Sequence, residues 1–186
     1  MVERLNKGKL EVKTDQLSKA RRKHLIIGVT GGTASGKTTL CHRLGAGLNQ
    51  NICILSCDSF YKGLTDDEHD DAANYNFDHP NALDLDLAYE KLHELASGKD
   101  CEIPTYDFTQ HKRTNVTETL KTSTIILFEG IHAFNEERFR DMMDLKIFAL
   151  TPDDIRLSRR RKFIKTWHYR VLMNSWFSWA WYFWKR

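Results

Sequence analysis

No tryptophan precedes Trp167 in this 186-residue chain, and all five then fall between Trp167 and Trp184. So abrupt a change of composition sets 166–186 apart as an aromatic-rich tail unrelated to the domain before it. No C-x-x-C pair joins any of Cys41, Cys53, Cys57 and Cys101. Without a disulfide framework they read as reduced thiols in a reducing compartment. Long apolar runs are scarce too. The uncharged stretch Val171 to Trp184 has only 14 residues, short of the roughly 17 to 25 that span a bilayer, so no membrane partner is expected. For that tail a weakly packed, non-native end is the favoured reading; an interfacial segment closed by Lys185 and Arg186, cover for the edge left by a missing strand, and poor order or aggregation are the others. The N-terminus lacks the apolar core of a secretory signal. Its basic residues are mixed with Glu3, Glu11 and Asp15, unlike an acid-poor transit peptide, so the expected location is the cytoplasm. A net charge of +3 makes no case for a nucleic-acid partner.

What is present suits one globular domain: 41% hydrophobic and 28% charged residues, with length enough for a substantial core. Residues 1–23, ending in Lys19, Arg21, Arg22 and Lys23, read as a disordered basic arm. Leu25 to Val29 (LIIGV) then has the unbroken apolar character of a buried parallel strand, and Thr39 to Leu48 reads as a helix. Between them Gly31 to Thr38, GGTASGKT, fits G-x-x-x-x-G-K-[ST]. Glycines there let backbone N–H groups turn inward around phosphate oxygens, with the positive end of the helix dipole beneath. A nucleoside triphosphate with Mg²⁺ is the expected guest. Its candidate cradle is Gly31, Gly32, Thr33, Ala34, Ser35, Gly36, Lys37, Thr38 and Thr39. Lys37 would reach the β- and γ-phosphates as a catalytic cation, and the Thr38 hydroxyl would join the metal shell.

Ile52 to Ser56 (ICILS) predicts a second strand, completing a βαβ unit. Ligands of such sheets collect beyond the carboxyl ends of the strands, where Asp58 falls. Its carboxylate would take a proton from an attacking hydroxyl or help hold Mg²⁺; capping the next turn beside Ser59 is the equally weighted alternative. Leu64 to Asn76 reads as an acidic loop. Pro80 and Asn81 introduce a helix from about Leu83 to Ser97. Ile103 to Phe108 and Val116 to Leu120 suggest a hairpin outside the main sheet, a small β-lid. Thr124 to Phe128 (TIILF) is the strongest strand signal, and it delivers Glu129 to the same end as Asp58, a position for a metal-site acid. Residues 135–143 read as helix and Lys146 to Leu150 as strand. Thr151-Pro152-Asp153-Asp154 reads as a helix start, with Thr as cap, ahead of Arg156, Arg159, Arg160 and Arg161. The expected fold is α/β: a P-loop NTPase-type parallel sheet of about four core strands with flanking helices, a β-hairpin lid and an incomplete C-terminal part.

GVTGGTASGKTT, CDSFY, NFDHPNALD, IPTYDFTQHKR, ILFEGIHAF and IRLSRR, in this order from about Leu25 to Arg160, together resemble the uridine–cytidine kinases of the phosphoribulokinase/uridine kinase group. The resemblance implies transfer of the ATP γ-phosphate to the 5′-hydroxyl of uridine or cytidine. It makes Asp58 the catalytic base and Asp78 the carboxylate on the ribose hydroxyls. Tyr61, Phe77, Tyr106, Phe108 and His111 would surround the pyrimidine, Glu129 would belong to the metal site, and Arg160 would lie near the sugar and the transferred phosphate. Read without the resemblance, Asp78 also fits a helix cap, Tyr106 and Phe108 fit the hairpin core, and His111 fits a solvated loop. A homo-oligomer is reasonable for a complete chain of this group.

After Arg160 the chain leaves the group's pattern: the R-D-x-x-E-R-G-R-D lid gives way to RKFIKTWHYR and the tryptophans. The expected organisation is therefore a shortened P-loop nucleoside kinase domain over 24–165 between the basic arm and the tail. Two rival functions remain: a catalytically impaired nucleotide-binding member without the arginine lid, and another small-molecule kinase with a different alcohol acceptor.

Overall fold

In the unbroken apolar strand Leu25–Thr30 (β1), five of six residues are buried, so both of its faces need cover. The computed structural model of the protein describes residues 24–48, 52–64 and 75–161. The readings for the basic arm, most of the acidic loop and the aromatic tail fall outside these residues. Lys37–Leu48 forms α1, Ile52–Ser56 β2, Leu85–Ala96 α2, Cys101–Asp107 β3, Lys112–Leu120 β4, Ile125–Glu129 β5, Glu137–Met142 α3 and Leu145–Phe148 β6. A last helical segment, α4, covers 153–161. The main sheet is parallel, in the order β2-β5-β1-β6, while β3 and β4 pair antiparallel as a separate two-stranded sheet.

Alternation along the parallel strands divides the core in two. Ile26, Ile126 and Phe128 face the larger cluster with Leu92 and Leu95 of α2 and Phe139 of α3. Ile27, Val29 and Leu127 pack on the other face with Cys41 of α1. Continuous apolar strands are what a sheet covered on both faces requires. All four cysteines are buried and unpaired, and burial pushes the Cys41 and Cys53 thiols up to about 12, which leaves them inert as nucleophiles.

Several boundaries differ from the sequence expectation. Helix α1 begins at Lys37, two residues early, so the lysine and threonine of the loop belong to its first turn. Leu83 is extended and bridges to Tyr61; Pro80–Ala82 is a separate 3-10 turn, and α2 starts only after Asp84, whose Oδ1 accepts the Leu87 N–H. Thr151 does not simply cap α4: its hydroxyl donates to the Ser35 carbonyl at 3.0 Å, fastening the start of that helix to the phosphate loop. The hairpin is longer than its apolar residues suggest, because most of β4 is exposed and carries no alternation.

Gly130 brings the end of β5 against the segment after β2. A Cβ there would lie 2.5 Å from both Cβ and Sγ of Cys57. Gly130→Ala is therefore expected to destabilise the fold by about 1–3 kcal/mol through overpacking. A urea midpoint equal to that of the parent protein would refute it.

Candidate active site

The phosphate loop closes at the carboxyl end of β1. Gly31 has φ +150°, and a Cβ there would fall 2.5 Å from the Ala149 carbonyl oxygen. Gly36 and Ala34 also adopt positive φ, so the loop holds a curl that ordinary side chains resist. Lys37 is only 9% exposed, and its Nζ donates to the Gly32 carbonyl at 3.1 Å. Burial lowers its pKa, against the opposing pull of Glu129, Asp58 and Cys57.

Glu129 ends β5 with its carboxylate buried. Its Oε1 accepts the hydroxyls of Thr38 and Ser56, each at 3.0 Å. Ser56 Oγ in turn accepts the Asp58 N–H, so Ser56 rather than Asp58 caps the Cys57–Phe60 turn. Asp58 reaches solvent, yet protein walls most of its surroundings. That desolvation raises its carboxyl pKa, the Glu129 charge adds to it, and Lys37 opposes it.

Helix α4 lays three arginines on the loop. Arg160 donates to the Thr33 hydroxyl at 2.8 Å and lies 4.0 Å from Asp78 Oδ2. Arg159 reaches the carbonyls of Ala34 and Ser35. Arg156 packs onto Gly32, in the space a side chain there would take. Neither Arg156 nor Arg159 is singled out by the sequence; a run of arginines on a helix gives no address until the helix is placed.

Tyr61, Phe77, Tyr106, Phe108 and His111 are brought together. Tyr61 lies 5.3 Å from Tyr106, 5.8 Å from Phe108 and 6.3 Å from Phe77, ring centre to ring centre, and Phe77 stacks on His111 at 4.8 Å. Phe108 is 45% exposed, too open for a core residue. The Tyr106 hydroxyl, by contrast, is buried and has no hydrogen-bond partner among the described residues. The reading of Asp78 as a helix cap is not what is found, since His79 Nδ1 accepts the Asn81 N–H. Arg113 was missed by the sequence reading. It reaches the carbonyls of Phe60 and Tyr61 and pairs with Asp84 at 3.4 Å, tying the hairpin to the chain after β2.

These groups fit a phosphorylated guest and a divalent ion. The Ser35 hydroxyl is buried inside the loop with no partner among the described residues, as is expected of a donor awaiting an acceptor. Among the described residues no group of three or more His, Cys, Asp or Glu could hold a metal unaided. A hydroxyl and one or two carboxylates, from Thr38, Asp58 and Glu129, suit Mg²⁺, which keeps waters and takes its other oxygens from the nucleotide. No described helix is long and apolar enough to cross a membrane.

Fold and loop together define a phosphate-loop kinase architecture. The pattern of the Phosphoribulokinase / Uridine kinase family matches residues 26–164, and the chain belongs to that family. It is 51% identical over 73% of its length to uridine-cytidine kinase B of Dictyostelium discoideum. To the uridine kinase of Lactobacillus helveticus it is 42% identical over 74%. It spans 56% of the first relative and 66% of the second. Among solved structures, that of a possible uridine kinase from Bacillus stearothermophilus superposes with a TM-score of 0.58 at 20% identity, covering 77% of this chain and 82% of that one. This likeness supports the shared α/β fold.

Proposed function

We propose that this chain transfers the γ-phosphate of ATP to the 5′-hydroxyl of uridine or cytidine, giving UMP or CMP. The observation that carries the reading is the place of Arg160, which touches Thr33 of the phosphate loop and faces Asp78 beside the aromatic cluster. One side chain thus joins a phosphate-binding element to a cluster suited to a flat base. The relatives named uridine or uridine-cytidine kinase support the same assignment. The catalytic domain is taken as residues 24–165.

In this reading the loop N–H groups and Lys37 hold the triphosphate, and Asp58 receives the proton of the attacking hydroxyl. Bound Mg²⁺, with Thr38, Glu129 and Asp58 near it, would neutralise phosphate charge during transfer. Tyr61, Phe77, Tyr106, Phe108 and His111 would enclose the base, His111 offering a donor or an acceptor to its edge. Arg156, Arg159 and Arg160 surround the loop with positive charge, which suits bound phosphates. Asp78 would accept both hydroxyls of the ribose diol. A charged hydrogen bond is worth about 1.5–3 kcal/mol, so Asp78→Ala should raise the KM for uridine roughly 10- to 100-fold. It should also narrow the preference over 2′-deoxyuridine; an unchanged preference would remove Asp78 from the sugar. The reading as a whole is tested by ATP-dependent formation of UMP from uridine by this chain, and ATP binding without UMP would refute it.

A further inference from the structure

His132 has no part in the chemistry above, yet its ring bridges two parts of the site. Its Nε2 lies 3.0 Å from the main-chain oxygen of Asp78, 54 residues away in sequence. A carbonyl oxygen only accepts, so Nε2 carries the proton and the imidazole is the donor. On one side of the bridge is a fixed point. His132 lies in the turn directly after β5, three residues beyond Glu129. Thr30 Oγ1 donates to the Gly130 and Ile131 carbonyls of that turn at 2.9 and 3.2 Å. Ala133 next to it is fully buried, and the His132 carbonyl accepts the Asn135 N–H at 3.0 Å.

On the other side is a short irregular segment held mostly by its own bonds. Asn76 Oδ1 accepts the Asp78 N–H, and the Asn76 carbonyl accepts the His79 N–H. The Asp78 side chain is 60% exposed, and Arg160 approaches it only at 4.0 Å. Rings hold Phe77, but Asp78 itself is joined to the main sheet through His132.

We infer that His132 is a positioning residue: by holding the Asp78 peptide it fixes the sugar-binding carboxylate relative to Glu129 and the phosphate loop. The inference rests on the nucleoside kinase reading. In-line transfer depends on placing the acceptor hydroxyl against the phosphate, and small misplacements are expensive. Without the bridge the Asp78 carboxyl group would still be present, but its position would spread.

The test compares His132→Leu, which removes the donor, with His132→Gln, whose amide nitrogen reaches about as far as Nε2. With His132→Leu, the KM for uridine should rise about tenfold, the worth of one hydrogen bond, while the KM for ATP stays as in the parent. His132→Gln should restore most of the affinity. Amide hydrogen exchange supplies a readout independent of turnover: the segment around Asp78 should exchange faster with leucine, the β1 and β5 amides should not, and glutamine should reverse the change. Equal uridine KM in parent and His132→Leu, or unchanged exchange around Asp78, overturns the inference and leaves the kinase reading intact. A parent protein that binds ATP but makes no UMP defeats the kinase reading and this inference with it. Faster exchange throughout the sheet would mark His132 as merely structural and would overturn the inference as well.

Discussion

Asp58→Asn is expected to lower turnover of uridine by ~10²–10⁴-fold, the usual contribution of a positioned general base, while ATP still binds. The amide keeps the size and much of the polarity of the carboxyl but cannot take the proton of the attacking hydroxyl. The environment of Asp58 adds a second expectation. Burial and then the Glu129 charge raise its pKa, with Lys37 opposing, and a base works only when ionised. Activity should therefore fall as pH drops through that raised value, so the acid limb of kcat/KM, which reports the free enzyme, lies above the ordinary aspartate range. Stability should respond with the opposite sign. A carboxyl with a folded pKa above its unfolded one binds its proton more tightly in the fold. Ionisation then lowers stability at pH above that value, and the penalty disappears below the unfolded pKa. Asparagine removes the penalty, so the variant should melt no lower than the parent at neutral pH. Undiminished turnover, or an acid limb within the ordinary range, would remove Asp58 from the role of base.

How much of this was legible in the chain depended on whether the signal was local. LIIGV, ICILS and TIILF announced three strands because a sheet covered on both faces leaves no polar position to interrupt the run. GGTASGKT announced the loop because its glycines answer to backbone geometry that no distant contact can replace. The hairpin was only half legible. Lys112 and Arg113 pair with Asp107 and Tyr106, and Thr117 to Leu120 with Pro104 to Cys101 across a register shift, while most of β4 is exposed, so hydrophobic periodicity had nothing to record. Pro80 marked a real break, but it opened a 3-10 turn and not α2, because Asp84 was the residue able to cap Leu87.

Within the site, the aromatic cluster and Asp78 came from family resemblance; spacing alone also allowed core rings and a capping acid. The contacts of Arg156, Arg159, Thr151 and His132 were beyond reach, since each spans from 54 to more than 120 residues of sequence. Ser56 shows the same limit at short range. A serine two residues before an aspartate suggests a cap only once the turn is known, and the cap is what leaves the Asp58 carboxylate available for chemistry.

Lys37→Met should lower kcat by ~10²–10³-fold, the effect of withdrawing one preorganised charge-stabilising donor from a transfer site. Methionine fills the lysine stem's volume, so the loss would be of charge and not of packing. The Gly32 carbonyl keeps the Ser35 N–H at 3.1 Å after Nζ is gone, and no buried acceptor is orphaned. Burial is the largest influence on Lys37 and lowers its pKa despite three attractive neighbours. An amine whose folded pKa lies below its unfolded value is charged at a penalty when the pH is below the folded pKa, and that penalty fades as pH rises from the folded value to the unfolded one and is gone above it. Removing the amine should leave Tm at pH 7 unchanged or higher, with the difference shrinking toward the ordinary lysine range. Asp58, however, loses the Lys37 cation that was holding its pKa down, so the acid limb of the residual activity should move to higher pH. The two effects separate a charge-bearing lysine from a scaffold lysine. A scaffold role would lower Tm and leave the acid limb in place, whereas loss of turnover with Tm retained and the limb displaced is what the coupling of Lys37, Glu129 and Asp58 requires.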